Sequence, residues 1–93
     1  MQITVRKNEA ARRYEAVTAD DAVAGFAAYQ DSGDSIIFPH TVTNPEYRGQ
    51  GIASQVAKYA LDDARSEGKT VVPMCSFFAD YIGEHPEYAD LVG

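Results

Sequence analysis

Residues 40–60 read HTVTNPEYRGQGIASQVAKYA, and this stretch decides how the rest of the chain is understood. An extended run ends, Asn44-Pro45-Glu46 turns it, Tyr47-Arg48-Gly49-Gln50-Gly51-Ile52-Ala53 follows, and a helical pattern begins. A glycine-bearing turn between a strand and a helix leaves backbone N–H groups without intrahelical partners. Those groups and the helix dipole favour an anion, with phosphate as the expected guest.

On the amino-terminal side the pattern is that of strands. Gln2 to Lys7 alternates, with Ile3 and Val5 opposite Thr4 and Arg6; Asn8 and Glu9 turn the chain, and Arg12 to Val17 reads as the returning strand of a hairpin. Val23 to Gln30 is apolar on both faces, as an interior strand would be. After the Asp31-Ser32-Gly33-Asp34 turn, Ser35 to Val42 forms a fourth β-branched and aromatic run. Four strands in a meander are the simplest account. Pro39 interrupts the fourth, and its missing N–H predicts an edge, a bulge or a splay that would open a cleft beside the glycine turn.

On the carboxyl-terminal side, Ile52, Val56, Tyr59, Ala60 and Ala64 recur at helical spacing between Gly51 and Arg65, and Gly68 ends that helix. Thr70 to Met74 is a short strand, reached by a right-handed crossover if it lies parallel to the fourth. It delivers Cys75. Ser76 is the expected N-cap of a short helix to about Ile82, and Glu87 to Val92 closes with one more helical turn. The order predicts an α+β fold: a four-strand antiparallel meander, a helix, a fifth strand parallel to the fourth, and a short C-terminal helix.

With 93 residues, 45% of them hydrophobic and 24% charged, the chain is expected to be one domain over residues 1–93 with one site. Its net charge of −6, from 8 basic and 14 acidic residues, disfavours nucleic acid and anionic membranes and mildly favours a cationic small molecule. No apolar run reaches the roughly 20 residues that span a bilayer, so a cytoplasmic location is the default expectation. Cys75 is the sole cysteine and is read as a thiol.

Two familiar phosphate loops fail at residues 47–53. A Walker-type loop needs Lys and then Ser or Thr after its last glycine, whereas Ile52 and Ala53 follow Gly51. A dinucleotide fingerprint needs three spaced glycines early in a βαβ unit, and this turn has two, late in the chain. What remains is Arg48-x-x-Gly51-x-Ala53 between a strand and an amphipathic helix. This resembles the acetyl-CoA signature of the GNAT superfamily of N-acetyltransferases. Together with His40-Thr41, Pro45-Glu46, Leu61-Asp62-Asp63-Ala64-Arg65, Val71-Val72-Pro73-Met74-Cys75 and His85-Pro86-Glu87-Tyr88-Ala89-Asp90-Leu91, residues 24–92 resemble a family of minimal, single-domain GNAT-like proteins.

The resemblance implies an acetyl-CoA-dependent N-acetyltransferase acting on an unidentified amine, as a monomer or weak dimer without a metal. It implies that acetyl-CoA lies in the splay beside Thr41 and Val42, with its pyrophosphate on the backbone of Arg48, Gly49, Gln50, Gly51, Ile52 and Ala53. Cys75, at the end of the fifth strand, would face the thioester as a thiol acid or a nucleophile, and His40 would take a proton from the attacking amine. Direct attack by the amine is the preferred route. His85 is expected to tie down the final turn, and Lys58 and Lys69 to be solvated. The alternative function is a module that binds CoA or acetyl-CoA with little or no catalysis.

Overall fold

A computed structural model describes residues 3–47 and 49–92. The first three strands, β1 (Ile3–Asn8), β2 (Arg13–Thr18) and β3 (Val23–Ala28), form the antiparallel meander that alternation predicts. Past Tyr29 the third run continues as the short β4 (Gln30–Asp31), in a second sheet.

The fourth run is where sequence and structure differ most. It is two strands, β5 (Ser35–Ile37) and β6 (Thr41–Thr43), and they belong to different sheets. β5 pairs with β4 and, in parallel, with β7 (Thr70–Val72); β6 pairs with β3. The change of partner falls at Pro39. Phe38 still donates to Val72 O at 3.1 Å, whereas His40 O already accepts from Ala28 N at 3.0 Å. Proline has no N–H to give to either ladder, so crossing between sheets at this residue costs no hydrogen bond. The two resulting sheets, β1-β2-β3-β6 and β4-β5-β7, diverge from this point.

Helix α1 (Ile52–Ser66) buries Ile52, Val56, Ala57, Ala60, Leu61 and Ala64, a stripe one turn apart along the helix. Tyr59 sits at the margin, 41% exposed, with its ring edge-on to Tyr14 at 5.9 Å. Helix α2 (Ser76–Glu84) stacks Phe78 on Phe38 at 4.2 Å between ring centroids. Its N-cap is Cys75, not the expected Ser76, because the chain is still extended at Cys75 (φ −80°, ψ 131°). The last turn is a 3-10 helix over Pro86–Leu91. His85 anchors it as expected, with Nδ1 2.8 Å from Tyr81 O and its ring stacked on Tyr81.

Part-buried polar links fasten α1 to the sheet and to the last turn. Tyr14, fully buried, donates its hydroxyl to Asp63 at 2.7 Å, and Lys7 Nζ lies 3.4 Å from the same carboxylate. Tyr88 donates to Asp62 at 2.7 Å. Both helices cover one side of the sheets. The smallest principal extent of the Cα trace is 19 Å, room for one sheet and one helix layer, so the opposite sheet face carries no helix.

Candidate functional site

The site is built where β6 leaves β5. Gly25 on β3 sets the spacing. A Cβ there would lie 2.9 Å from Val42 O and 3.1 Å from Ile52 Cγ2, so its absence lets β3, β6 and the first turn of α1 approach closely. Beyond β6, Asn44 accepts the Glu46 amide on Oδ1 at 3.1 Å and the Tyr47 amide on its backbone oxygen at 2.9 Å, which fixes a 3-10 turn over Pro45–Tyr47.

Gly51 is the N-cap of α1 in the left-handed region (φ +69°), a conformation that glycine adopts without Cβ strain. No side chain caps this helix, and no acidic residue stands in its first turn. Gly51 O accepts the Gln55 amide at 3.1 Å, which leaves the amides of Ile52, Ala53 and Ser54 without intrahelical partners. Nothing lies within 4 Å of a Cβ built on Gly49 or Gly51, so the space above the turn is open to a ligand. These features fit an anion such as a pyrophosphate. Arg48, expected to contribute its amide, lies outside the described residues.

At the other end of the opening stands Cys75. Its amide donates to Phe38 O at 2.9 Å, pinning the start of α2 to the point where β5 ends. Its Sγ lies 3.4 Å from Thr41 Oγ1, a link that crosses from β7's end to β6. Burial alone would push the thiol up. The Thr41 hydroxyl and the amides of Phe78 and Phe77 outweigh burial and hold the thiol below its usual range. Those amides make no formal cap hydrogen bond to the sulfur, so they act as oriented dipoles at a helix start.

The expected site residues fall on two faces of β6. Register pairs Ala27 with Thr41, Phe26 with Val42 and Gly25 with Thr43. Strand alternation therefore puts Thr41 and Thr43 on the helix side and Val42 on the bare side. His40 follows Val42: its ring is exposed and edge-on to Phe26, 6.3 Å between centroids. Thr41 and Cys75 are thus brought into contact, while His40 stands on the other side of the strand with no side-chain hydrogen bond to Cys75 among the described residues. Val42, Val72 and Met74, 44%, 39% and 70% exposed, supply apolar surface around the opening. Lys69 is held by Asp31 and Glu67 and Lys58 by Asp62, so each lysine already has a carboxylate partner.

Sequence reasoning missed one cluster beside this site. Glu15 is 1% exposed and receives Arg6 Nε at 3.2 Å, Asn8 Nδ2 at 3.3 Å and Arg13 Nε. Burial would raise its carboxyl, but hydrogen bonds from Arg13, Arg6 and Asn8 outweigh that and hold it below the usual carboxylate range. The signal was present in the hairpin register, which sets Arg6 directly opposite Glu15 and Asn8 opposite Arg13. The Arg13 guanidinium also lies over the Phe26 ring at 4.5 Å.

Two comparisons with known proteins bear on this geometry. The sequence model of the family described as GCN5-related N-acetyl-transferase matches residues 13–91. Among solved structures, the chain is similar to the NMR solution structure of a GCN5-like candidate N-acetyltransferase from Staphylococcus aureus. The TM-score is 0.73 at 19% identity, over 97% of this chain and 87% of that one. At that identity the likeness is one of fold.

Proposed function

The chain belongs to the GCN5-related N-acetyltransferase family, and from that premise we propose that it is an acetyl-CoA-dependent N-acetyltransferase, a single domain that transfers acetyl to a small amine. The observation that carries this reading is the partner change at Pro39. It separates β6 from β7 and leaves an uncapped helix start at one end of the opening and a thiol of lowered pKa at the other.

In this reading the amides of residues 49–53 hold the pyrophosphate, and the edge of β6 at Thr41 and Val42 holds the extended arm of the cofactor. When bound, acetyl-CoA supplies an activated acyl group: the amine nitrogen forms a C–N bond, the C–S bond breaks, and CoA leaves as its thiol. Cys75 provides the proton for the departing sulfur. A thiol held below its usual range lies nearer the working pH, where proton donation is most effective. Thr41 orients it. His40, exposed on the opposite side of β6, receives the first proton that the attacking ammonium loses, directly or through water, and the second, lost once the C–N bond has formed, returns through solvent to the Cys75 thiolate. Because the helix side of the strand holds Cys75 and the bare side holds His40, the two proton transfers are kept on opposite sides of the acyl group. Positioning between them is the main catalytic contribution of so small a domain.

The test is thiol release from acetyl-CoA across a panel of amines, with wild type and Cys75→Ala side by side. Turnover with at least one amine, lowered in the variant while acetyl-CoA binding is kept, supports the reading. Binding without turnover on any amine would replace it with a CoA-binding module, and unchanged turnover in Cys75→Ala would return the cysteine to a packing role.

A further inference from the structure

Beside the cleft, on the sheet face without helices, lies a cavity of about 430 Å³ lined by Arg13, Val23, Phe26, Val42, Asn44 and Pro45 among others. We propose that this cavity is the acceptor site and that it selects an amine carrying a carboxylate on an apolar body. The assignment rests on the N-acetyltransferase reading above and deepens it.

The floor is apolar: Val23, Phe26, Val42 and Pro45 provide its surface. Both of its polar side chains present donors. Arg13 uses Nε for Glu15, so its two terminal nitrogens keep their N–H groups for another acceptor, with no protein partner among the described residues. Asn44 uses Oδ1 to accept the Glu46 amide, which leaves its NH2 group to donate. Glu15, the carboxylate closest to Arg13, is saturated by Arg6, Asn8 and Arg13 and is buried, so it presents no acceptor to a ligand. Two donors over an apolar floor, one of them a guanidinium with planar N–H pairs, suit a carboxylate joined to a hydrocarbon body.

Placement relative to the chemistry follows from Phe26. Its ring lies under the Arg13 guanidinium at 4.5 Å and edge-on to His40 at 6.3 Å. One aromatic side chain thus joins the anion anchor to the imidazole, and Val42 is at once a wall of the cavity and the middle residue of β6. A ligand anchored by its carboxylate at Arg13 extends across Phe26 with its amine toward His40. Arg13 is then a specificity-determining residue. The net charge of −6 still attracts the ammonium end of such a zwitterion, while the cavity reads the other end.

The test is an amide-resolved NMR titration of the full chain with two probes of the same shape, 3-phenylpropionate and its neutral amide, 3-phenylpropanamide. Shifts at residues 23–26 and 42–44, with the acid binding roughly fivefold to tenfold tighter, are expected from one charge-assisted contact in a half-open cavity. Arg13→Gln should bring the acid down to the level of the amide and leave the amide unchanged. Equal affinities in wild type, or shifts confined to other residues, would overturn the proposal. If Arg13→Gln does not fold, the wild-type pair is repeated at 0.05 and 0.5 M salt, where the acid's preference should shrink and the amide's affinity should hold; a salt-independent preference counts against Arg13. The titration uses neither acetyl-CoA nor turnover, so it can succeed in a protein that never transfers acetyl. Conversely, turnover of phenethylamine as good as that of phenylalanine would preserve the acetyltransferase and refute this pocket.

Discussion

Gly25→Ala perturbs the site through a single atom. The new Cβ would stand 2.9 Å from Val42 O, 3.1 Å from Ile52 Cγ2 and 3.4 Å from Thr43 Cα. The side-chain methyl of Ile52 can yield a few tenths of an ångström, but the carbonyl oxygen is backbone, and to reach the ordinary contact of 3.4 Å it must retreat by about 0.5 Å. That motion separates β6 from β3 at the residue where both cleft and cavity are lined. Overpacking of this kind costs about 1–3 kcal/mol. Alanine returns about 0.5–1 kcal/mol by being less flexible than glycine in the unfolded chain. A net loss of about 0–2.5 kcal/mol remains, which in a domain of this size lowers Tm by up to roughly 20 °C. Calorimetric melting gives the first readout and titration of acetyl-CoA the second, with affinity expected to fall at least about threefold as the cradle shifts. An unchanged or raised Tm with undiminished affinity would refute the close approach as the device that sets β6 against α1.

Three further changes separate the parts of the site. Ala53→Glu adds a carboxylate to the first turn of α1, where the helix dipole welcomes it, so Tm should hold while acetyl-CoA affinity falls at least about tenfold through like-charge repulsion; retained affinity would remove the phosphate assignment. Thr41→Val takes the hydroxyl from Cys75, and the midpoint of a pH–rate profile for thiol alkylation should move up; a midpoint that stays put would mean the helix amides alone hold the thiol down. Glu15 has a folded pKa below its unfolded value, so its stabilisation is complete above about pH 4.3 and is lost as pH falls through the folded value. Glu15→Gln should therefore cost about 1–3 kcal/mol at pH 7 and flatten the acid limb of the stability curve, and parallel acid limbs would contradict the linkage.

The strands, the helix after residue 51 and the crossover to β7 were legible because each follows from periodicity and from glycine or proline punctuation. Pro39 marked the interruption of the fourth run, as an edge, a bulge or a splay, but the partner exchange it permits was not legible. Whether an interrupted strand bulges within one sheet or passes to a second depends on what lies beyond Asn44 and before Thr70, and that is tertiary information. The cap of α2 moved to Cys75 for a similar reason. Serine is the better capping side chain, yet the hydrogen bond that the Cys75 amide donates to Phe38 O keeps residue 75 extended and begins the helix one residue earlier. For the site, the composition of the glycine turn was readable. The division of His40 and Cys75 between the two faces of β6 needed the register with β3.

A two-layer protein with one helix layer must leave one sheet face in water, and what it puts there can be used to separate solvation from function. Over β1 and β2 that face carries Arg6, Asn8, Arg13 and Glu15, a network in which every Glu15 oxygen has a donor. Such a network suppresses edge and face association without contributing an apolar surface. If solvation were the only demand, the same pattern would continue across β3, β6 and β7. Instead Phe26, Val42 and Val72 stand there and Met74 follows just beyond β7, with Val42, Val72 and Met74 44%, 39% and 70% exposed. Apolar exposure on the bare face thus occurs where the two sheets part, next to the Arg13 guanidinium, whose terminal nitrogens have no protein partner among the described residues. A ligand that enters there gains apolar contact and a charge partner in the same step, and the charged half of the face holds the strands in register while it does so.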